Sequence, residues 1–115
     1  MNDASSASDE DWIRVVRSEQ VIEGQTRLAR VGVRPVAVTR QRGRVYVYND
    51  RCPHAGSPLH VGRLTPGGIE CGRHRWVFDL DSGVCREHPL YKLRSYDTRE
   101  ADGWILVLPL EEEIW

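Results

Sequence analysis

The chain has 115 residues, 40% of them hydrophobic and 29% charged, with a net charge of −1; this is the length and composition of one small soluble domain. A pI near 6.4 excludes a general nucleic-acid binder, and no apolar run approaches the length of a membrane span. The core such a chain can build is small, so a bound metal centre would add stability.

In chain order, residues 1–11 are rich in Ser and Asp and carry neither a basic nor an apolar region. A disordered N-terminal tail is expected there, not a signal peptide. A cytoplasmic location follows by default, and reduced thiols fit that compartment. Trp12 to Val16 reads as a strand, and Ser18 to Gly24 as a turn or one short helical turn ended by glycine. Thr26 to Val31 and Arg34 to Arg40 read as strands, the second with Val36 and Val38 on one face and Ala37 and Thr39 on the other. Gln41-Arg42-Gly43 is a hairpin turn, after which Arg44 to Tyr48 alternates Val against Tyr. Asn49-Asp50 breaks that strand and launches a loop over about residues 51–60.

Leu64 to Gly68 then reads as a turn and Ile69-Glu70 as a very short strand, followed by a second loop region over about 71–83. Within that region Arg75 to Leu80 is extended and Asp81-Ser82-Gly83 turns the chain, so that Val84 to Glu87 pairs back as a hairpin. His88-Pro89-Leu90 is a third irregular loop. Tyr91 to Thr98 and Trp104 to Leu108 are the last strands, joined by Arg99 to Gly103, and residues 111–115 form a C-terminal tail. Short strands between regular turn signals predict an all-β antiparallel sandwich or barrel over residues 12–110, with the two loops as a small subdomain.

The two loops carry the chemistry. The first contains Cys52-Pro53-His54 and the second Cys71-Gly72-Arg73-His74, with 16 residues between His54 and Cys71. Two thiols and two imidazoles on a pair of tight turns are what a metal centre with mixed sulfur and nitrogen ligands needs. A tetrahedral zinc site is the rival reading, though its usual spacing groups Cys with Cys and His with His, whereas here they interleave. The third cysteine, Cys85, reads as a free buried or half-buried thiol. His60 and His88 read as solvated loop residues, and Trp76 and Phe78 as packing beneath the second loop.

The pattern C-x-H…C-x-x-H resembles the Rieske iron–sulfur family. The resemblance extends to Cys52-Pro53-His54-Ala55-Gly56 with Pro58-Leu59, and to His74, Trp76, Phe78, Asp79 and Gly83. It implies one 2Fe-2S cluster, with Cys52 and Cys71 on one iron and His54 and His74 on the other. Two thiolates and two neutral imidazoles leave the oxidised centre uncharged, so it accepts an electron more readily than a four-thiolate centre, and the electron settles on the His-held iron. High-potential relatives carry an extra disulfide-forming Cys in each loop. Ser57 and Arg73 stand there instead, and Trp76 stands where those relatives place a Ser that donates to sulfide. The resemblance therefore implies the low end of the Rieske span, about −150 mV.

Such members are ferredoxins of aromatic-ring oxygenases. The implied function is a soluble, monomeric one-electron carrier, not itself an enzyme, between an NAD(P)H-dependent flavin reductase and a terminal oxygenase. An oxygenase subunit would also need a mononuclear iron site, for which only His60 and His88 remain. The alternatives are the small subunit of a nitrite reductase, similar in fold, and a zinc-stabilised binding module. Arg51, Arg63, Arg73, Arg75 and Arg86 lie in or near the loops. They read as solvated scatter, with a basic docking ring as the alternative.

Overall fold

The structure is a computed structural model and describes residues 11–72 and 75–110. The expected tails fall outside these residues, apart from Asp11. Among the described residues nine strands run β1 (Ile13–Arg17), β2 (Thr26–Val31), β3 (Arg34–Gln41), β4 (Arg44–Asn49), β5 (Arg63–Thr65), β6 (Gly68–Glu70), β7 (Val77–Asp79), β8 (Thr98–Ala101) and β9 (Trp104–Val107). They form three antiparallel three-stranded sheets, ordered β1-β9-β8, β2-β3-β4 and β5-β6-β7. The all-β antiparallel expectation holds. The one short helical turn is a 3-10 helix, Ser18–Gln20, and Gly24 ends the segment with φ +80°.

The central hairpin β3–β4 obeys its alternation. Val36, Val38 and Val47 enter one core with Val16, Val21, Val31, Tyr96, Ile105 and Val107. Ala37 and Tyr48 point the other way, into a second core with Leu59, Ile69, Phe78, Leu80, Cys85 and Leu93. Strand β3 is thus buried on both faces. Each large aliphatic or aromatic side chain so buried contributes about 1.5–3 kcal/mol. The polar groups on this sheet chain together: Tyr48 OH lies 2.7 Å from Thr39 Oγ1, which lies 2.8 Å from Thr26 Oγ1. Burial pushes the Tyr48 phenol up to about 12.

Four expected elements differ. Leu64-Thr65 and Gly68 belong to β5 and β6, so the turn shrinks to Pro66-Gly67. Val84 to Glu87 forms no strand. Asp79 N–H donates to Val84 O and Gly83 N–H to Asp79 O, closing a tight turn that leaves only single bridges, Phe78 to Cys85 and Val84 to Lys92. Tyr91 to Asp97 is likewise a strap rather than a strand. It bridges Val84 at Lys92 and Tyr48 at Ser95, and ties to β4 through Asn49 N–H to Arg94 O and Tyr96 N–H to Val47 O. The last hairpin starts later than expected. Arg99-Glu100-Ala101 is strand β8, and the turn is Asp102-Gly103 alone, both at positive φ, the two-residue hairpin turn that Asp-Gly favours.

Candidate metal centre

The two loops are local twins. In the first, Cys52 N–H donates to Ser57 O and Gly56 N–H to Cys52 O, each at 2.8 Å; in the second, Cys71 N–H donates to Trp76 O and Arg75 N–H to Cys71 O, each at 2.7 Å. Each cysteine therefore closes a knot over the following five residues. The fourth residue after it takes the left-handed conformation, Gly56 at φ +74° and Arg75 at φ +58°. Glycine meets that demand without strain, and arginine does not.

The knots bring their sulfurs together at the top of the second core. Cys52 and Cys71 are 1% and 0% exposed. Burial pushes the Cys52 thiol up from its ordinary range, and the Cys71 side chain beside it adds to this. The backbone N–H groups of Ala55 and His54 oppose the shift by donating to the sulfur. Ser57 Oγ lies 3.8 Å from Cys71 Sγ. Such donors suit a thiolate better than a neutral thiol, and a metal is what keeps buried sulfur in that form.

His54 stands outside the sulfur pair and is half-buried. Its ring lies 4.0 Å from that of Trp76 and 5.4 Å from that of Tyr91. Among the described residues no three His, Cys, Asp or Glu side chains converge as they would on one ion. A two-iron group asks for a different arrangement, with sulfur ligands inside and imidazole outside, each pair on its own iron. Cys52, Cys71 and His54 fit that group. His74 lies outside the described residues.

Other expectations are redrawn. Phe78 is buried beneath the loops as expected, and Cys85 is fully buried beside it. Trp76 packs on the core edge but also lies against His54, and the His88 ring stacks with it at 4.1 Å. His60 is no loose solvated residue: Asp50 accepts from its backbone N–H at 2.6 Å, and a second Asp50 oxygen lies 2.6 Å from its ring Nδ1. That clasp ties the two ends of the first loop. Of the loop arginines expected as solvated scatter, Arg86 reaches Asp79 at 3.5 Å and Pro66 O at 3.3 Å, while Arg63 sits on β5. Neither the Asp50–His60 clasp nor the Ser57 contact shows in the sequence, because each depends on how the loops close. No described helix is long and apolar enough to cross a membrane.

Comparison with known proteins agrees with this geometry. The chain is 37% identical over 82 residues, 70% of its length, to the 3-chlorobenzoate-3,4-dioxygenase oxygenase subunit of Comamonas testosteroni, of which it spans 19%. It spans between 19% and 28% of the first curated relatives it matches. It is 26% identical over 98 residues to the anthranilate 1,2-dioxygenase ferredoxin subunit of Burkholderia cepacia, covering 84% of this chain and 91% of that one. The ferredoxin of carbazole 1,9a-dioxygenase from Nocardioides aromaticivorans IC177 superposes with a TM-score of 0.78 at 28% identity, over 86% of this chain and 98% of that one. The Rieske [2Fe-2S] domain family matches residues 11–97. The chain belongs to this family, and its cofactor is one Rieske-type 2Fe-2S cluster.

Proposed function

We propose that the chain is a ferredoxin, a one-electron carrier that takes electrons from an NAD(P)H-dependent flavin reductase and passes them to a terminal aromatic-ring oxygenase. The observation that carries this reading is the pair of buried sulfurs, Cys52 and Cys71, delivered by twin knots, with the His54 imidazole placed outside them. When bound, the cluster supplies reversible one-electron chemistry at these residues. Cys52 and Cys71 would hold one iron, and His54 and His74 the other. Trp76 and the buried aliphatic floor exclude water from the sulfur side, and His54 offers the short way to the surface. The match to nearly the full length of two ferredoxins supports a free carrier.

A second reading is the Rieske domain of an oxygenase subunit, supported by the 37% identity to one. An immunoblot of the native source separates the two: a 13.2 kDa band fits the carrier, and a several-fold larger one the oxygenase. The test of the centre itself is metal and sulfide analysis with EPR of the dithionite-reduced protein. About two irons and two sulfides per chain, a rhombic signal of low average g, and a midpoint near about −150 mV are expected. Zinc without iron or sulfide, after anaerobic preparation, would overturn the reading.

A further inference from the structure

The two ligand loops are twins at their tips but are closed differently at their bases. The second leaves β6 at Glu70 and returns into β7 at Val77, and those two residues are partners in the antiparallel ladder. Its base is shut by strand pairing. The first leaves β4 at Asn49 and returns into β5 at Arg63, and these strands belong to different sheets. Its entry is fixed beside β3, through Asp50 N–H to Pro35 O at 3.1 Å. Its exit lies against β6, where a side chain at Gly62 would strike Glu70 O. A side-chain pair joins entry to exit. One Asp50 oxygen accepts from the His60 backbone N–H and the other lies against the ring Nδ1, each at 2.6 Å. A carboxylate only accepts, so the ring donates through Nδ1. The Asp50 side chain is 5% exposed and that of His60 29%. Hydrogen bonds to a carboxylate sheltered from water are the strong kind.

We propose that Asp50 and His60 are positioning residues for the metal centre. Their clasp does for the first ligand loop what the Glu70–Val77 ladder does for the second, and it holds Cys52 and His54 in place where two sheets meet. The assignment rests on reading Cys52 and His54 as ligands. Opening the clasp lets the first loop swing away while the second stays shut. The first loop is then the side from which iron is lost.

The test adds excess EDTA to the cluster-loaded protein and follows iron loss by the fading of visible absorption. His60→Ala should speed the loss about tenfold, the weight of one hydrogen bond to a buried charge. His60→Asn offers an amide nitrogen that donates from near the place of the ring Nδ1, and should restore most of the retention. Gln41→Ala is the control. It removes two contacts, to Thr65 O and from Gly67 N–H, that clamp the β5–β6 turn to β3. It weakens the same subdomain without touching the loop, so it should lower the unfolding temperature and leave the rate of iron loss unchanged. Iron loss that is unaltered in His60→Ala, or that simply follows the unfolding temperature across the three variants, overturns the clasp and leaves the ligands standing. Should His60→Ala fail to fold, hydrogen exchange at the His60 N–H of the unaltered loaded protein decides. Protection of at least about tenfold over a free chain supports the clasp, and less overturns it. An unaltered protein that takes up no cluster overturns the ligand reading as well.

Discussion

Cys52, Cys71 and Cys85 are all buried in one core, yet they have different roles. The first two share a site at the loop tips, and Cys85 lies below them against Phe78. Cys52→Ser or Cys71→Ser should abolish iron and sulfide binding, whereas Cys85→Ala should keep both and cost about 1 kcal/mol for the small cavity. Metal analysis of the three variants checks this. The Ser57 hydroxyl lies against the Cys71 sulfur. A donor there stabilises added negative charge, so Ser57→Ala should lower the midpoint by about 20–40 mV, the value of about 0.5–1 kcal/mol for one electron. Potentiometry with the absorption spectrum unchanged is the readout. The twin knots predict opposite effects at matching positions. Gly56→Ala forces a side chain into the left-handed region against Arg51 and should cost about 1–2 kcal/mol. Arg75→Gly removes that strain and should gain up to about 1 kcal/mol, less the extra freedom of the unfolded chain. Thermal unfolding of the loaded protein measures both.

At the scale of elements, Arg40 on β3 connects otherwise separate pieces. Its guanidinium reaches Glu100 on β8 at 2.9 and 3.1 Å, Val21 O at 2.7 Å and Ser18 O at 3.2 Å. The hydrogen bond from Arg40 holds Glu100 below the usual carboxylate range. A depressed carboxylate contributes its full stability above the ordinary value near 4.5, and that contribution is lost as pH falls through the lowered one. Glu100→Gln should therefore flatten the acid limb of stability and cost about 1 kcal/mol at neutral pH, the pair being partly solvated. Arg40→Ala should cost about 2–3 kcal/mol, because it removes the side-chain donor to Val21 O, one of two donors to Ser18 O, and the charged partner of Glu100. Urea titrations from pH 3 to 7 distinguish the two.

Strands β2, β3 and β4 are legible in the sequence because Val, Ala, Thr and Tyr alternate there with turn residues at each end. The two ligand loops are legible because Cys and His sit at fixed spacing. Strand β8 is not, since Arg99 and Glu100 look like connector; only Asp102-Gly103 marks the hairpin. The strap after Tyr91 looks like a strand but pairs too briefly with any neighbour to become one. The Asp50–His60 clasp joins residues across a whole loop, and no local pattern announces it.

For the molecule as a whole, the metal loops rest on a core whose floor is buried side chains but whose strands, β5 to β7, are three residues each. Short strands give little cooperative support, so bound metal should be a large part of that subdomain's stability. Removing iron by acid and chelator should leave slow amide exchange in β2, β3 and β4 and speed it at least about tenfold in β5 to β7. Uniform loss of protection across all three sheets would show instead that the molecule unfolds as one unit.

The double-sided burial of β3 limits how far the domain can be miniaturised. A fragment cut after β4 to isolate the metal-binding half would leave Ala37 and Tyr48 behind, and the cysteine tips would lose their back wall. Anyone grafting these tips onto another scaffold would have to carry the preceding hairpin along with them.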